Sequence, residues 1–231
     1  MTDTSSSTPV RIAAIQTVSG PDVAANLETA ARLIGEAAAA GARLVALPEY
    51  FPLISKDEVA KVRIREPEGG GPLQDFLAGE ARRHGVWLIG GTLPLVAEAD
   101  DKVRNSTLVY DDQGRRVARY DKIHLFGFQR GEERYDEAAT IEPGSTVACF
   151  DSPAGRTGLS VCYDLRFPEL FRAMGEVDLI VLPAAFTWTT GRAHWEVLLR
   201  ARAIENQCYL MAPAQGGRHE SGRVTWGHTM I

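Results

Sequence analysis

Near its start the chain reads RIAAIQTV at residues 11–18, NLETAARLIGEAAAA at 26–40 and ARLVAL at 42–47. The first and third segments are short, apolar and rich in branched residues, which favours buried strands. The middle segment repeats apolar residues at helical spacing and is followed by Gly41. A strand, a helix and a strand within about 40 residues predict a parallel sheet with crossover helices.

The alternation of strands and helices continues along the chain. Leu73–His84 is predicted to be a helix, and a strand at 86–90 follows it. STLVY (106–110) and RVARY (116–120) flank the polar turn DDQG, which is typical of an antiparallel hairpin and makes the sheet mixed. Further strands are predicted at 147–150, 157–161, 179–182 and 208–213, and further helices at 168–174 and 193–207.

The composition is that of an ordinary globular protein. Of the 231 residues, 45% are hydrophobic and 24% are charged, which is enough for one sizeable core. The formal net charge is −5 and the basic residues are scattered among acids, so no nucleic-acid partner is expected. No apolar run is long enough to span a bilayer, so we expect no membrane partner either.

The cysteines and the N-terminus indicate where the protein works. Three cysteines at wide spacing, with no CxxC motif, indicate neither a disulfide framework nor a zinc site. This suits a reducing compartment, and we expect a cytoplasmic protein. Residues 1–9 are polar and lack the apolar segment of a secretory signal, so we expect a disordered tail. Residues 10–231 contain no linker or repeat and are predicted to form one domain.

Cys162 differs from the other two cysteines. Cys149 and Cys208 lie in strand-like apolar runs and are expected to be small buried residues. Cys162 ends the run GLSV and precedes YDLRFPELF, in which Pro168 marks the first turn of a helix. Such a strand-to-helix elbow exposes a side chain at the edge of the sheet and turns free N–H groups toward an oxyanion. Cys162 is therefore the candidate nucleophile.

Glu49 is the candidate base. A thiol nucleophile needs a base, and none of the five histidines stands in a motif that assigns it this role. Glu49 follows the strand-like RLVALP and lies between Pro48 and the aromatic Tyr50 and Phe51. Apolar neighbours disfavour a charged carboxylate, as suits a proton acceptor. A solvated loop acid is the alternative interpretation of this segment alone.

Lys122 is the third candidate. It lies in ARYDKIHLFGF, where most of the neighbours are apolar or aromatic. A cation in such surroundings can meet the negative charge of a tetrahedral oxyanion, which arises only in the transition state. A structural ion pair with Asp121 is the competing explanation.

Other motifs give weaker signals. GGGP at 69–72 lacks the Lys and Ser/Thr of a phosphate-binding loop and is interpreted as a turn before a helix. Neither GxSxG nor HExxH occurs, so neither a serine hydrolase nor a metal site is indicated. The helix at 193–207 is predicted to contribute four core side chains: Trp195, Leu198, Leu199 and Ile204. Its charged residues Arg200, Arg202 and Glu205 are expected to form salt bridges.

The three candidate segments stand in a fixed order along the chain. They read LVALPEYF around Glu49, RYDKIHLF around Lys122 and GLSVCYDLRFPEL around Cys162. Together they resemble the nitrilase superfamily of carbon–nitrogen hydrolases, in which a catalytic Glu, Lys and Cys occur in this order. The resemblance extends over 11–231 and implies that these three residues are catalytic.

The resemblance implies a second active-site glutamate after the lysine. Glu137 in RYDEAATIEPG fits this position, and Glu132 and Glu133 are neighbouring alternatives. In the implied mechanism Glu49 takes the Cys162 proton, the thiolate forms a thioester with the substrate, and Lys122 stabilises the oxyanion together with the N–H of Tyr163. The second glutamate positions the lysine or the attacking water.

The resemblance also implies the architecture. We expect a four-layer αββα sandwich with mixed sheets, a homodimer, and no metal or organic cofactor. Family members continue past the position of Ile231 with a further strand and a tail. WGHTMI (226–231) turns apolar like the start of a strand, so we expect this domain to lack the last strand and tail of the family.

Within the family, AFTWTTGRAHWEVLLRARAIENQ (185–207) is most similar to the branch that hydrolyses deaminated glutathione. The related omega-amidase branch acts on alpha-ketoglutaramate and remains the alternative. Both cleave an amide of a small anionic substrate, so a cation must meet a carboxylate, and Arg166 is the candidate. Thr190 and His194 are candidates for the pocket wall, and the loops at 55–65 and 127–136 are expected to shape the pocket.

Two further interpretations stay open at this point. One is a non-catalytic binding subunit with the same fold. The other is a thiol redox protein, which would need a resolving cysteine near Cys162, and the sequence has none adjacent.

Overall fold

The computed structural model describes residues 9–131 and 133–231, without the side chains of Arg130 and Glu133. The predicted tail therefore lies outside the described residues, apart from Pro9. The helices are α1 (Val23–Ala39), α2 (Ala60–Arg63), α3 (Pro72–His84), α4 (Pro168–Ala173) and α5 (Trp188–Asn206). The strands are β1 (Ile12–Ala14), β2 (Leu44–Ala46), β3 (Trp87–Ile89), β4 (Leu93–Val96), β5 (Val103–Tyr110), β6 (Arg116–Asp121), β7 (Gly127–Arg130), β8 (Glu133–Asp136), β9 (Cys149–Ser152), β10 (Gly155–Leu159), β11 (Leu179–Val181), β12 (Tyr209–Met211), β13 (Gly216–Arg218) and β14 (Val224–Trp226).

Two larger sheets form the frame. In the first, β1, β2 and β3 are parallel, and β5 joins them antiparallel to β3 and pairs with β4 and β6. In the second, β12, β11 and β10 are parallel and β9 is antiparallel at the edge. These pairings confirm the predicted mixed sheet and the hairpin β5–β6. The polar turn indicated the hairpin because a tight turn can join antiparallel strands, whereas parallel strands need a longer crossover.

The alternation of side chains along β2 shows how the layers pack. Leu44 and Ala46 point into the core between the two sheets, whereas Val45 and Leu47 point into the core beneath α1 and α3. The same apolar cluster continues through the second sheet to its outer face, where Phe171 and other apolar side chains of α4 and α5 pack. The order of layers is thus helices, sheet, sheet, helices, which confirms the four-layer αββα sandwich. Both sheets are buried on two faces, as their apolar strands require.

Capping residues determine where α1 and α5 begin, and both helices begin earlier in the chain than the sequence predicted. The Asp22 side chain accepts a hydrogen bond from the N–H of Ala25 at 3.2 Å, so α1 begins at Val23 rather than at residue 26. The Thr187 hydroxyl accepts from the N–H of Thr190 at 3.3 Å, so α5 begins at Trp188 rather than at residue 193. Within the described residues, no helix is both long and apolar enough to cross a lipid bilayer.

The structure locates the predicted core residues of α5 and the last residues of the chain. Trp195 and Leu199 are core residues as predicted, and Leu198 packs partly against the core, but Ile204 is 76% exposed, so its assignment to the core was wrong. Nine residues, or two and a half helical turns, separate Ile204 from Trp195, so Ile204 lies on the face of α5 opposite the core, whereas the neighbouring Ala203 packs against it. Within WGHTMI (226–231), β14 ends at Trp226, and Met230 then forms an antiparallel bridge with Ala212 beside the second sheet, as the beginning of a strand would.

Candidate active site

Four side chains singled out by the sequence lie just beyond the ends of strands. Glu49 follows β2, Lys122 directly follows β6, and Cys162 follows β10. Glu137 directly follows β8 and opens a short 3-10 helix at Glu137–Ala139. Because β2 and β6 belong to the first sheet and β10 to the second, these side chains converge where the two sheets meet.

Lys122 lies at the centre of this group. Its Nζ donates to Oε1 of Glu49 at 2.9 Å and to Oε1 and Oε2 of Glu137 at 2.9 and 2.8 Å. The side chains of Lys122 and Glu49 are fully buried, and that of Glu137 is 11% exposed. The competing pairing with Asp121 does not occur, because the Asp121 carboxylate binds Arg119 and Ser106 instead.

Glu49 is held at both carboxylate oxygens. Asn105 of β5 donates to Oε1 at 3.0 Å, and the backbone N–H of Ala185 donates to Oε2 at 2.9 Å. The Glu49 carboxylate is also near enough to the Cys162 thiol to raise its pKa. Glu49 is therefore fixed beside the sulfur, where a general base would act.

A close backbone contact fixes the segment that carries Glu49. Gly91 has φ +56°, and a Cβ atom at this position would lie 2.1 Å from the carbonyl oxygen of Pro48. Only glycine permits this approach. The residue after Glu49, Tyr50, also has a positive φ of 55°, so the chain turns sharply at Glu49.

Tyr50 continues the network to Glu137. Its hydroxyl donates to Oε1 of Glu137 at 2.8 Å, and the N–H of Phe126 donates to Oε2 at 2.7 Å. Burial works against the charge of Glu137, but the adjacent Lys122 ammonium and these two donors hold the pKa of Glu137 below its ordinary value. Glu137 is consequently an ionised partner of Lys122.

Cys162 occupies a strained elbow. Its φ is +49°, which L-residues rarely adopt, and its N–H donates to the carbonyl of Pro183 at 2.9 Å. Cys162–Arg166 form a 3-10 helix, which α4 follows directly. The N–H of Tyr163 is in the first turn, where such groups have no partner inside the helix and point to the open side.

The buried carboxylate of Asp164 braces the elbow. Its Oδ2 accepts from the N–H of Val161 at 2.8 Å and from the Tyr120 hydroxyl at 2.7 Å. Its Oδ1 accepts from the N–H of His124 at 3.0 Å and lies 2.7 Å from Nδ1 of the same residue. From the other side, Nε of Arg202 donates to the carbonyl of Leu165 at 3.0 Å. The elbow is thereby tied to β6, to the segment after Lys122 and to α5.

The charges around the sulfur favour a protonated resting thiol. Burial raises the pKa of Cys162 well above its ordinary value, the negative charge of Glu49 raises it further, and Lys122 opposes these effects. For Lys122, burial works against the charge, but Glu137 and Glu49 together hold its pKa above the ordinary value. Lys122 thus stays a cation throughout the physiological range.

A small cavity lies over the sulfur. Its walls include Tyr163, Arg166 and Thr190, together with Phe126, Phe186, Thr187 and Arg223. The Arg166 guanidinium lies 5.8 and 5.6 Å from the ring centroids of Tyr163 and Phe186, and its Nη1 is 3.3 Å from Nδ1 of His194. His194 itself is exposed and lies outside the cavity wall, so it reaches the site only through Arg166.

Arg223 lines the cavity although no motif pointed to it. Its Nη2 donates to the carbonyl of Ala185 at 2.7 Å, and its guanidinium lies 5.9 and 5.2 Å from the rings of Tyr50 and Tyr135. Its Nε is buried and has no hydrogen-bond partner among the described residues. Neither Arg166 nor Arg223 forms a salt bridge with a described carboxylate. The cavity therefore presents two unneutralised cations.

The sequence also missed the residues that support the catalytic candidates. Asn105 is a polar residue inside an otherwise buried strand, and Asp164 is an acid two residues after the candidate nucleophile, so each left a weak signal. Arg223 left none, because its neighbours lie far away in the chain. Glu132 is outside the described residues and the side chain of Glu133 is not described, so neither alternative to Glu137 can be placed.

Cys149 and Cys208 lie away from this site. Both are free and only partly covered, less than their strand-like runs predict, and burial raises the pKa of each thiol. Among the residues that the structure describes, no group of three or more His, Cys, Asp and Glu side chains is placed to hold a metal ion.

Comparison with known proteins identifies the family. The sequence model of the carbon-nitrogen hydrolase family matches residues 11–231. A deaminated glutathione amidase of Yersinia enterocolitica is 44% identical over 95% of this chain and 78% of that protein. An omega-amidase of Xenopus laevis is 37% identical over 96% of this chain and 80% of that protein.

Known structures agree with this result. The crystal structure of Saccharomyces cerevisiae Nit3, a member of the nitrilase superfamily, superposes with a TM-score of 0.83 at 31% identity. The alignment covers 96% of this chain and 81% of that one. The motifs, the four-layer fold and the similarity over nearly the whole chain lead to one conclusion: this chain belongs to the carbon-nitrogen hydrolase family of the nitrilase superfamily.

Proposed function

We propose that this protein hydrolyses the amide bond of deaminated glutathione through a thioester on Cys162. The observation that carries the proposal is the hydrogen bond from Lys122 to Glu49 beside the Cys162 thiol, whose pKa Glu49 raises, beneath a cavity with two unneutralised guanidinium groups. A base, a nucleophile and a fixed cation in mutual contact are what acyl transfer from an amide requires. The 44% identical relative named deaminated glutathione amidase supports the choice of substrate.

In the first half-reaction Glu49 takes the thiol proton as the sulfur attacks the amide carbon. The oxyanion is stabilised by Lys122 Nζ and the N–H of Tyr163. Glu49 then gives the proton to the amide nitrogen, the carbon–nitrogen bond breaks, and the amine leaves. The pKa of the thiol is raised at rest, so base-assisted attack fits better than a preformed thiolate.

In the second half-reaction water replaces the amine. Glu49 removes a proton from the water, the hydroxide attacks the thioester carbon, and the proton returns to the departing sulfur. Glu137 keeps Lys122 charged and in place through both steps, and Tyr50 orients Glu137. The carboxylic acid product is released and the free Cys162 thiol is regenerated. No cofactor takes part.

Arg166 is proposed to bind the carboxylate of the acyl half. It lies four residues after the nucleophile on the same wall of the cavity. Its charge has no carboxylate partner among the described residues, and a guanidinium binds a carboxylate through two parallel hydrogen bonds. Thr190 offers a hydroxyl on the same wall, next to Thr187 at 2.9 Å.

The alternative substrate is alpha-ketoglutaramate, which the omega-amidase relative supports. It shares its acyl half with deaminated glutathione and releases ammonia instead of cysteinylglycine. The two proposals therefore use the same nucleophile, base and acyl pocket and differ only in the leaving group.

We also propose a homodimer that works in the cytoplasm. Val197 and Ile204 lie seven residues apart on α5 and are 70% and 76% exposed, so they form an apolar stripe on one face of the helix that a second copy would cover. The three free cysteines suit a reducing compartment.

The test is an assay of both amides with the wild-type protein and Cys162→Ala. We expect hydrolysis of deaminated glutathione by the wild type and loss of at least about 1,000-fold in the variant, because the residual binding pocket cannot replace the nucleophile. Trapping of the thioester with a slow substrate, seen by mass spectrometry, would support the covalent step. Full activity of Cys162→Ala, or a folded wild-type dimer that hydrolyses neither amide, would refute the proposal and favour a binding subunit.

A further inference from the structure

A second chamber adjoins the cavity over Cys162. The two spaces share Phe126, Glu137 and Arg223 as a common wall. The space over the sulfur has a volume of only about 10 Å³, whereas the chamber has about 310 Å³. The larger value falls at the lower end of the range of about 300–1,000 Å³ that is usual for small-molecule sites.

The positions of the cations suggest which half of the substrate enters the chamber. Arg166, the proposed partner of the acyl carboxylate, lines the space over the sulfur and not the chamber. An amide bound at Cys162 with its acyl half toward Arg166 must direct its amine half elsewhere. The chamber begins at Glu137, beside the catalytic lysine, and so lies next to the point where the amine departs.

The chamber has apolar surface from Leu53, Ile54 and Ala139. Its wall also carries charged side chains of both signs: Asp57, Glu58, Asp136 and Glu137, and Lys61, Arg134 and Arg223. Lys61 of α2 lies among them with its side chain only 17% exposed, and its Nζ donates to the Thr140 hydroxyl at 3.2 Å and to Glu58. An ammonium group has three N–H donors, so one remains for a ligand.

The existing partner of Lys61 is not a strong competitor. Glu58 is 67% exposed, and ion pairs with such exposed groups are weak because water screens them. Thr140, by contrast, is buried and lies directly after the 3-10 helix that carries Glu137. The hydrogen bond to Thr140 thus holds Lys61 next to the segment that carries Glu137. A carboxylate of a ligand can replace Glu58 as the ion-pair partner of Lys61.

We propose that this chamber binds the amine half of the substrate and that Lys61 binds the terminal carboxylate of that half, so that the enzyme selects a peptide leaving group over ammonia. The inference rests on the proposed function and extends it to specificity. A short peptide amine with a free carboxylate and an uncharged side chain, such as cysteinylglycine, matches both the cation and the apolar walls.

The first test compares two substrates that differ only in their leaving groups. The ratio of kcat/KM for deaminated glutathione to kcat/KM for alpha-ketoglutaramate should fall about 10- to 100-fold in Lys61→Met, chiefly through KM, because one charge-assisted contact is lost. Lys56→Met is the matched control, since Lys56 is exposed on the same segment and lies outside the chamber wall; it should leave the ratio unchanged. An unchanged ratio in Lys61→Met would overturn the inference.

The second test uses the unmodified enzyme and needs no turnover. By calorimetry, cysteinylglycine should bind at least about tenfold more tightly than its C-terminal amide, which lacks the charge that Lys61 recognises. Equal binding of the two would overturn the inference even if deaminated glutathione is hydrolysed. Carboxylate-dependent binding by an enzyme that hydrolyses neither amide would instead refute the proposed function and leave the chamber assignment standing.

Discussion

Nζ of Lys122 donates to both carboxylate oxygens of Glu137, at 2.9 and 2.8 Å. The same ammonium contacts Glu49, so a single buried cation lies between two buried acids. In this arrangement Lys122 does more than await an oxyanion, because it also neutralises the acids that surround the sulfur before any substrate arrives. Its removal should affect stability as well as catalysis.

Lys122→Met should lower the free energy of unfolding by about 3–5 kcal/mol, since it leaves two carboxylates buried without a cation, and it should abolish turnover. Urea unfolding followed by circular dichroism measures the first effect. Lys102→Met is the control: among the described residues that ammonium donates a hydrogen bond only to the carbonyl of Ala138, at an exposed site, and its loss should change stability by no more than about 0.5 kcal/mol. Similar losses in both variants would contradict the central role of Lys122.

The pH at which the Cys162 thiol becomes reactive should be lower when Glu49 is replaced. In a Cys149→Ser/Cys208→Ser background, alkylation by iodoacetamide should accelerate only well above pH 9.0, because burial and Glu49 both favour the neutral thiol. Glu49→Gln removes the negative charge of Glu49 and leaves Lys122 in place, so the pKa of Cys162 should fall and alkylation should begin at lower pH. Turnover should nevertheless be lost, because the base is gone. An alkylation profile that moves to higher pH in Glu49→Gln would show that the carboxylate does not act on the sulfur as described.

Gly91→Ala should destabilise the protein and slow the reaction. The added Cβ would meet the Pro48 carbonyl oxygen, and φ +56° is strained for alanine, so we expect a loss of about 1–3 kcal/mol together with a reduced kcat. Gly79→Ala tests the same substitution where there is room: Gly79 lies inside α3, nothing lies within 4 Å of its added Cβ, and we expect a gain of about 0.5–1 kcal/mol. Thermal melts and initial rates give both quantities. A Gly91→Ala protein with wild-type kcat would show that the turn at Glu49 tolerates displacement.

Ile204→Asp should shift the association state toward the monomer without unfolding the subunit. The side chain is 76% exposed on α5, so the charge meets solvent in a single subunit but would be buried in the proposed dimer. Sedimentation velocity distinguishes the species. Val117→Asp, at a 41% exposed position on β6, is the matched control and should leave association unchanged. Dimers of equal strength in both variants would exclude this face of α5.

The sequence predicted the parts of the fold that local patterns determine. The hairpin β5–β6 has a polar turn between two apolar runs, and Pro72 and Pro168 occupy first helical turns, so these elements were placed within a residue or a few residues of their observed bounds. The start of α5 was missed because Trp188–Arg192 contains weak helix formers, and the hydroxyl of Thr187 rather than apolar spacing decides where the helix begins. Ile204 was misplaced because its apolar character was given more weight than its spacing, which puts it half a turn away from Trp195 on the outer face of α5.

The site residues that could be predicted are those whose immediate sequence neighbours indicate a role. Glu49 and Cys162 each adjoin the end of an apolar run, Lys122 has mostly apolar and aromatic neighbours, and the structure brings Glu49 and Lys122 into contact beside Cys162. Arg223 and Lys61 could not be found in this way. Their significance comes from which surfaces face each other after folding, and neither residue stands in a local pattern that distinguishes it from a solvent-exposed cation.

One contact of Glu49 has an evolutionary consequence. Oε2 of Glu49 accepts from the backbone N–H of Ala185, whereas Oε1 accepts from the side chains of Asn105 and Lys122. A backbone donor survives every replacement except proline, which lacks the N–H. Over time, position 185 can therefore change among residues small enough for the core without loss of this contact, whereas replacement of Asn105 removes a side-chain donor. One of the three donors that hold Glu49 thus depends on the path of the chain rather than on the identity of a side chain.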